Sequence, residues 1–343
     1  MNIRTTFWIL LLGIFMTRVG ISEAQELTLE RPDKSKINYY LIEQPAPVTE
    51  KVLLLILQGS DCNSIFYIDS IKSDYKNIWP QADLLLIEKY SISKKLSYHT
   101  GAERKDCPEE YIHNDSPEQR ISDIKTVLKE VRKQQKYRTL VVLGGSEGAV
   151  IANLLAANID YVDATISFNG GGRWFFDDIL HSMVSTQQNP EEAKASREGL
   201  KQFAEHILTS EPFELKISDH GYNWWHQMLS MDQLAILQKV NSPLLILQGS
   251  RDLSVSPDKV DEMLLALSKS GKDNIKYRLY DGLDHAWKNS SGQSKKKKIV
   301  ADIHIWLKSV LSHSNNHIKP SLKSTAETPE SHNNEVIVEG DHH

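Results

Sequence analysis

One serine lies in a glycine-rich turn of the kind that presents a catalytic nucleophile. Residues 144–148 read Gly-Gly-Ser-Glu-Gly, fitting G-x-S-x-G between an apolar run that predicts a strand and one that predicts a helix. Small residues at Gly144 and Gly148 let the strand and helix approach closely, so that the turn presents the hydroxyl of Ser146 near a helix N-terminus that favours negative charge. A phosphate-binding loop fits less well, because no lysine follows the glycines at the required spacing.

A serine hydroxyl becomes a nucleophile only when an oriented base removes its proton. In this strand–turn–helix context the acid and the base follow the serine in the order Ser, Asp, His. Asp252 follows a later apolar run in "GSRDLSVSP", and His285 follows the next one in "DGLDHAW". We therefore predict that Ser146, Asp252 and His285 form a catalytic triad, with Asp281 and Asp284 as lesser candidates for the acid.

Acyl transfer places negative charge on a carbonyl oxygen, and fixed backbone N–H groups stabilise it. The N–H of Glu147, directly after the serine, is one predicted donor to this oxyanion hole. The other is expected in "LQGSDCNS", the loop after the first long apolar run. Ser60 is the first choice there and Asp61 the second.

The chain contains two cysteines, Cys62 and Cys107. In an oxidising compartment two such cysteines are expected to pair. We predict a disulfide that anchors the loop carrying Ser60, with two separate buried thiols as the alternative. Nothing in the sequence implies a metal or an organic cofactor.

Continuous apolar runs alternate with helical patterns along most of the chain. Such runs are typical of strands covered on both faces of a parallel sheet, and their alternation with helices predicts a three-layer α/β fold. The predicted strands are residues 51–58, 83–88, 139–143, 164–168, 243–248 and 275–280, and the predicted helices include residues 121–135, 258–267 and 299–311.

Residues from about 170 to 238 break this alternation, with helical patterns, several aromatic residues and no strand-like run. We interpret them as a helical cap inserted above the sheet, with ordinary packing of helices on the sheet as the alternative. Residues 315–343 are polar and are predicted to be a disordered tail.

Residues 1–24 have the pattern of a secretory signal peptide: an early arginine, a ten-residue apolar core and small residues before a cleavage site. A retained N-terminal anchor is the alternative. No later stretch is long enough for a membrane span. We expect an exported protein, periplasmic or secreted. The net charge of −5 argues against a nucleic-acid partner.

The Gly-Gly-Ser-Glu-Gly turn, "GSRDLSVSP" and "GLDHAW" together resemble the α/β-hydrolase superfamily, over roughly residues 38–312. Within it the chain is similar to exported bacterial serine hydrolases related to the catalytic domains of dipeptidyl-aminopeptidases and acylaminoacyl-peptidases. The resemblance implies a mostly parallel sheet flanked by helices, with Ser146 as nucleophile, Asp252 as acid and His285 as base. Unlike many relatives, this chain has Gln58-Gly59 where they have His-Gly.

These residues predict a hydrolase that acts on a small-molecule or peptide substrate through an acyl-enzyme. Ester, thioester and amide substrates all suit this chemistry, so both esterase and peptidase activity are consistent with it. Glu147 could meet a cationic group such as a peptide amine, face solvent, or hydrogen-bond within the turn. A non-catalytic binding protein of the same fold and an acyltransferase are the alternatives.

Overall fold

The computed structural model describes residues 25–45, 51–101, 104–187 and 189–316. The predicted signal peptide, residues 1–24, lies outside the described residues, and so do residues 317–343 of the predicted tail.

Within the described residues, eight strands form one sheet in the order β1-β2-β4-β3-β5-β6-β7-β8. Strand β2 is antiparallel to both β1 and β4, and every other pairing is parallel. All six predicted strands are present, with each end within two residues of its prediction, whereas β1 and β2 were not predicted. The strands are β1 (Glu26–Glu30), β2 (Lys36–Ile42), β3 (Lys51–Leu57), β4 (Asp83–Ile87), β5 (Tyr137–Gly145), β6 (Ala164–Phe168), β7 (Leu244–Gly249) and β8 (Ile275–Tyr280).

Ten α-helices in the described residues complete the fold: α1 (Asp69–Ser73), α2 (Glu109–Asn114), α3 (Pro117–Gln134), α4 (Glu147–Asn158), α5 (Phe175–Val184), α6 (Pro190–Thr209), α7 (Tyr222–Ser230), α8 (Gln233–Lys239), α9 (Pro257–Lys269) and α10 (Lys296–Asn316). Two of the longer ones begin at serine caps with proline in the first turn. Ser116 accepts a hydrogen bond from the backbone at the start of α3, and Ser256 does so at the start of α9. None of the described helices is long and apolar enough to cross a membrane.

The apolar run of β3 is explained by packing on both faces of the sheet. Leu53, Leu55 and Leu57 belong to a core shared with α3, α4 and α9, while Leu54 and Ile56 belong to a second core shared with α1 and α10. Successive side chains of a strand point to opposite faces, so a strand covered twice must be apolar throughout. The predicted mostly parallel α/β-hydrolase sheet, flanked by helices, is therefore confirmed.

The segment between β6 and β7 contains α5 to α8 and no named strand. Its aromatic residues pack largely against one another: Trp224 and Trp225 are buried, and Phe175 and Phe203 make edge-on contacts with them. These rings form a small core of their own beside Val150 of α4. The helical content agrees with the sequence pattern, and a role for the segment as a cap over the site stays a prediction.

Candidate active site

Ser146 lies at the junction of β5 and α4 in a backbone conformation that few residues other than glycine adopt. Its φ is 53° and its ψ is −129°, and its N–H donates to the carbonyl oxygen of Phe168 at 3.0 Å. A non-glycine residue held at such dihedrals stores strain of about 1–3 kcal/mol, and such strain concentrates at functional positions. The surrounding fold therefore holds this serine in a conformation that an ordinary turn would avoid.

The two outer glycines of the turn are required by close backbone contacts. A Cβ atom on Gly144 would lie 2.0 Å from the carbonyl oxygen of Gly148, and one on Gly148 would lie 2.4 Å from the carbonyl oxygen of Leu57. The predicted close approach of strand and helix is confirmed. Strand β3, by contacting Gly148, also brings the loop that follows it beside the serine.

The structure brings Asp252 and His285 together, from the loops that follow β7 and β8. His285 Nδ1 lies 2.8 Å from Asp252 Oδ2, which also accepts a hydrogen bond from Gln248 at 3.1 Å. The other carboxylate oxygen accepts backbone N–H groups from Ser254 and Val255. This contact suits the imidazole tautomer that has its proton on Nδ1, in which Nε2 is the nitrogen able to accept a proton.

The lesser candidates for the acid have other partners. Asp281 accepts a hydrogen bond from the Ser250 hydroxyl, and Asp284 accepts the backbone N–H groups of Ala286 and Lys288 within its own loop. Of these three carboxylates, Asp252 is the one hydrogen-bonded to the histidine ring.

Three side chains with no obvious sequence signal hold these two loops in place. Asn169, just after β6, donates to the carbonyl oxygen of His285 at 2.8 Å and accepts the N–H of Gly249 at 3.0 Å. His181 Nε2 of α5 lies 2.9 Å from the carbonyl oxygen of Asp252. Trp287, fully buried, packs against strand β8 two residues after the histidine.

Ser146 and His285 line one cavity of about 200 Å³. Much of its remaining wall is apolar and comes from Ile68 and Ile71 of the α1 region together with Tyr75 and Phe168. The rings of Tyr75 and Phe168 stack with centroids 5.2 Å apart. The candidate nucleophile and base therefore face a space that suits a small apolar group.

The loop after β3 borders the same cavity through Gln58, Gly59 and Asp61. A Cβ atom on Gly59 would lie 3.9 Å from Ser146 Oγ, so this backbone passes directly beside the nucleophile. Ser60 is exposed at the turn of the loop. The assignment of the oxyanion donors to the N–H groups of Ser60 and Glu147 stays a prediction, and the loop has the position that such a donor requires.

The predicted disulfide between Cys62 and Cys107 is confirmed, with 6.1 Å between the Cα atoms. Both cysteines are buried, and they join the loop after β3 to the segment that leads into α2. The two cysteines are 45 residues apart in the sequence, and a disulfide typically stabilises a fold by about 2–4 kcal/mol. This bond also fixes one end of the loop beside Ser146.

Glu147 does not face a substrate, which removes its suggested role in meeting a cationic group. Its side chain is 2% exposed, with Oε1 at 2.5 Å from Arg120 Nη1 and Oε2 at 3.5 Å from Lys89 Nζ. Burial alone would raise the pKa of this carboxyl, but the two cations outweigh burial and lower it. Glu147 is therefore an ionised carboxylate beneath the site.

Comparison with known proteins supplies the family. Residues 109–314, more than half of the chain, match the model of the prolyl oligopeptidase family. The chain belongs to that family. No curated protein sequence matches the chain. Family membership agrees with the predicted resemblance to the catalytic domains of serine hydrolases.

Solved structures share the fold of this family member at low sequence identity. Est1E from Butyrivibrio proteoclasticus has a TM-score of 0.56 and 16% identity, covering 84% of this chain and 99% of that one. The Pyrococcus furiosus esterase Pf2001 has a TM-score of 0.52 and 14% identity, covering 85% and 92%. The Pyrococcus horikoshii acylaminoacyl peptidase has a TM-score of 0.53 and 13% identity, covering 83% of this chain and 41% of that one.

The strain at Ser146 leads to a test on stability. We expect the Ser146→Gly variant to be more stable than Ser146→Ala by about 1 kcal/mol, because glycine adopts a positive φ without penalty whereas alanine keeps the strain. Urea unfolding of the two purified variants measures the difference. Equal stability of the two, or a more stable alanine variant, would contradict the strained conformation.

Proposed function

We propose that this member of the prolyl oligopeptidase family is a serine hydrolase that cleaves an ester or amide bond through an acyl-enzyme on Ser146. One observation carries the proposal: His285, oriented by a 2.8 Å contact with buried Asp252, lines the same cavity as the strained serine. Family membership and a fold shared with esterases support a hydrolase.

The proposed reaction assigns each side chain one task. Ser146 Oγ attacks the substrate carbonyl carbon while His285 Nε2 accepts the hydroxyl proton, and Asp252 holds the imidazole in the required tautomer. The N–H groups of Glu147 and Ser60 stabilise the oxyanion. The histidine then returns the proton to the leaving group, and water repeats the sequence to release the acid and free the serine.

The substrate that best fits the cavity is an ester with an uncharged, apolar acyl group. Ile68, Ile71, Tyr75 and Phe168 give the cavity an apolar wall. Glu147, the carboxylate next to the nucleophile in sequence, is buried and already paired with Lys89 and Arg120. We therefore place an ester ahead of a peptide whose free amine needs an acidic partner.

The protein is proposed to act after export, in the periplasm or outside the cell. Two features support this location: the signal-peptide pattern of residues 1–24 and the Cys62–Cys107 disulfide, since disulfides persist in oxidising compartments. The substrate would accordingly be a molecule met outside the cytoplasm.

A fluorophosphonate probe tests the proposed nucleophile. We expect stoichiometric labelling of the purified protein, complete loss of labelling in Ser146→Ala, and strong reduction in His285→Ala, because the attack needs both hydroxyl and base. Intact-mass spectrometry measures the adduct. A folded protein that stays unlabelled would favour the non-catalytic binding protein, and labelling that survives Ser146→Ala would place the nucleophile elsewhere.

A series of p-nitrophenyl esters tests the apolar pocket. Each buried methylene contributes about 0.8 kcal/mol, so kcat/KM should rise up to about fourfold per methylene from the acetate until the cavity is full. We expect Ile68→Phe to shorten the preferred chain while leaving acetate hydrolysis nearly unchanged. Aminoacyl nitroanilides run in parallel should be poor substrates. A preference for these amides, or no dependence on acyl length, would contradict the pocket.

A further inference from the structure

Two carbonyl groups of the loop after β3 are held by buried side chains. Arg120 Nη2 donates to the carbonyl oxygen of Gln58 at 3.0 Å, and Lys89 Nζ donates to that of Asp61 at 3.0 Å. The ring of His220 lies close to the backbone of Ser60. The two donating side chains come from the segment after β4 and from α3, so distant parts of the chain converge on this loop.

Fixing these carbonyl groups also fixes the direction of the amides. In a planar trans peptide the C=O and N–H bonds point in opposite directions. The peptide that follows Gln58 therefore has its carbonyl turned toward Arg120 and the N–H of Gly59 turned away from it. The next peptide, Gly59–Ser60, carries the proposed second oxyanion donor and lies between this held peptide and the carbonyl of Asp61, which Lys89 holds.

One buried anion joins the two cations to the nucleophile turn. Glu147 pairs with both Arg120 and Lys89, and the three side chains are 2%, 6% and 0% exposed, in that order. The backbone N–H of this same residue is the first proposed oxyanion donor. The carboxylate thus links the turn that carries one donor to the cations that hold the loop carrying the other.

A second buried carboxyl group and a neutral histidine lie beside this cluster. Burial raises the pKa of Asp115 to about 6, while the charges of Lys89 and Arg120 oppose that rise. Burial lowers the pKa of His220 to about 3, and its ring stacks on Trp224 at 3.7 Å. Burying a group of charges is a poor way to stabilise a fold, because desolvation opposes the attraction between them. Because Arg120 and Lys89 contact the loop after β3, we interpret the buried charges as groups that position this loop.

Resting on the proposed function, we propose that Arg120 is a positioning residue of the oxyanion hole. Its guanidinium bridges Glu147 of the nucleophile turn and the carbonyl of Gln58, and so sets the distance between the two donor N–H groups. Lys89 extends the same support to Asp61, three residues further along the loop. Arg120 touches neither the reacting atoms nor the substrate cavity.

The chain offers a matched control for the loss of a buried arginine. Arg31 is similarly buried, pairs with Asp123 of α3 at 2.9 and 2.6 Å, and donates to the carbonyl oxygen of Lys36 at 2.6 Å. Arg31, which follows β1, therefore makes the same two kinds of contact as Arg120, one of them to the helix that carries Arg120, and it has no hydrogen bond to the loop beside Ser146. Arg31→Lys and Arg120→Lys should cost similar stability.

The experiment compares these two variants on a p-nitrophenyl ester and on a trifluoromethyl ketone, whose serine adduct places an oxyanion in the hole. Loss of one oxyanion donor typically lowers kcat by about 10²–10³-fold. A donor that is displaced but still present should lower kcat by a smaller factor. We expect Arg120→Lys to lower kcat about 10–100-fold with KM within twofold, and to weaken the ketone by the same factor. Arg31→Lys should keep both values within threefold of wild type.

The results separate this inference from the function on which it rests. If the wild-type protein neither hydrolyses esters nor binds the ketone, the proposed function fails. If the wild-type protein is active and Arg120→Lys behaves like Arg31→Lys, or changes only KM, the positioning role is overturned. Should Arg120→Lys fail to fold, Arg120→Gln decides by the same criteria, because a neutral amide at this position cannot bridge Glu147 and the carbonyl of Gln58 as the guanidinium does, while Glu147 keeps its pairing with Lys89.

Discussion

The site depends on a buried carboxylate held between two buried cations. Glu147 joins Arg120 and Lys89 directly beneath the turn that presents Ser146. Arg120 and Lys89 in turn donate hydrogen bonds to carbonyl groups of Gln58 and Asp61 in the loop after β3. Without this cluster the strained turn and the loop would be connected mainly through the contact of Gly148 with β3 and through the pairing of β3 with β5. The cluster therefore fixes two backbone segments relative to each other through side chains that do not line the cavity.

The parallel sheet supplies the rest of the geometry. Strands β3, β5, β7 and β8 run in the same direction, so the loops after them meet at one edge, as is usual for sites of open α/β sheets. The loops after β7 and β8 are then tied together by Asn169 and by the contact between His285 and Asp252. The residues proposed to carry out the reaction thus face the cavity, whereas those proposed to position the loop are buried.

Much of this arrangement could be predicted from the sequence, because local patterns determine it. The central strands are apolar throughout because both faces of the sheet are covered. Glycine is required at Gly144 and Gly148 because a Cβ atom at either position would clash with neighbouring backbone. Asp252 and His285 could be assigned from their order and from the strands before them. Strands β1 and β2 were missed because their apolar residues are mixed with polar ones, as in "ELTLE" and "KINYYLI", so neither forms a continuous apolar run.

The supporting side chains could not be predicted in the same way. Lys89, Arg120 and His220 are far apart in sequence and stand in no motif, and a buried charge is recognisable only when its partner is known. The role suggested for Glu147 in binding a cationic substrate was wrong for this reason: the sequence shows the carboxylate but not the arginine and lysine that surround it. Long-range packing, rather than local propensity, decides these contacts.

The most direct test of the account is a crystal structure of the phosphonylated enzyme. The account predicts phosphorus bonded to Ser146 Oγ, with the phosphoryl oxygen about 2.7–3.1 Å from the backbone nitrogens of Glu147 and Ser60. Arg120 should keep its hydrogen bond to the carbonyl oxygen of Gln58. A phosphoryl oxygen turned toward solvent, or a loop released from Arg120 in the adduct, would contradict the central claim.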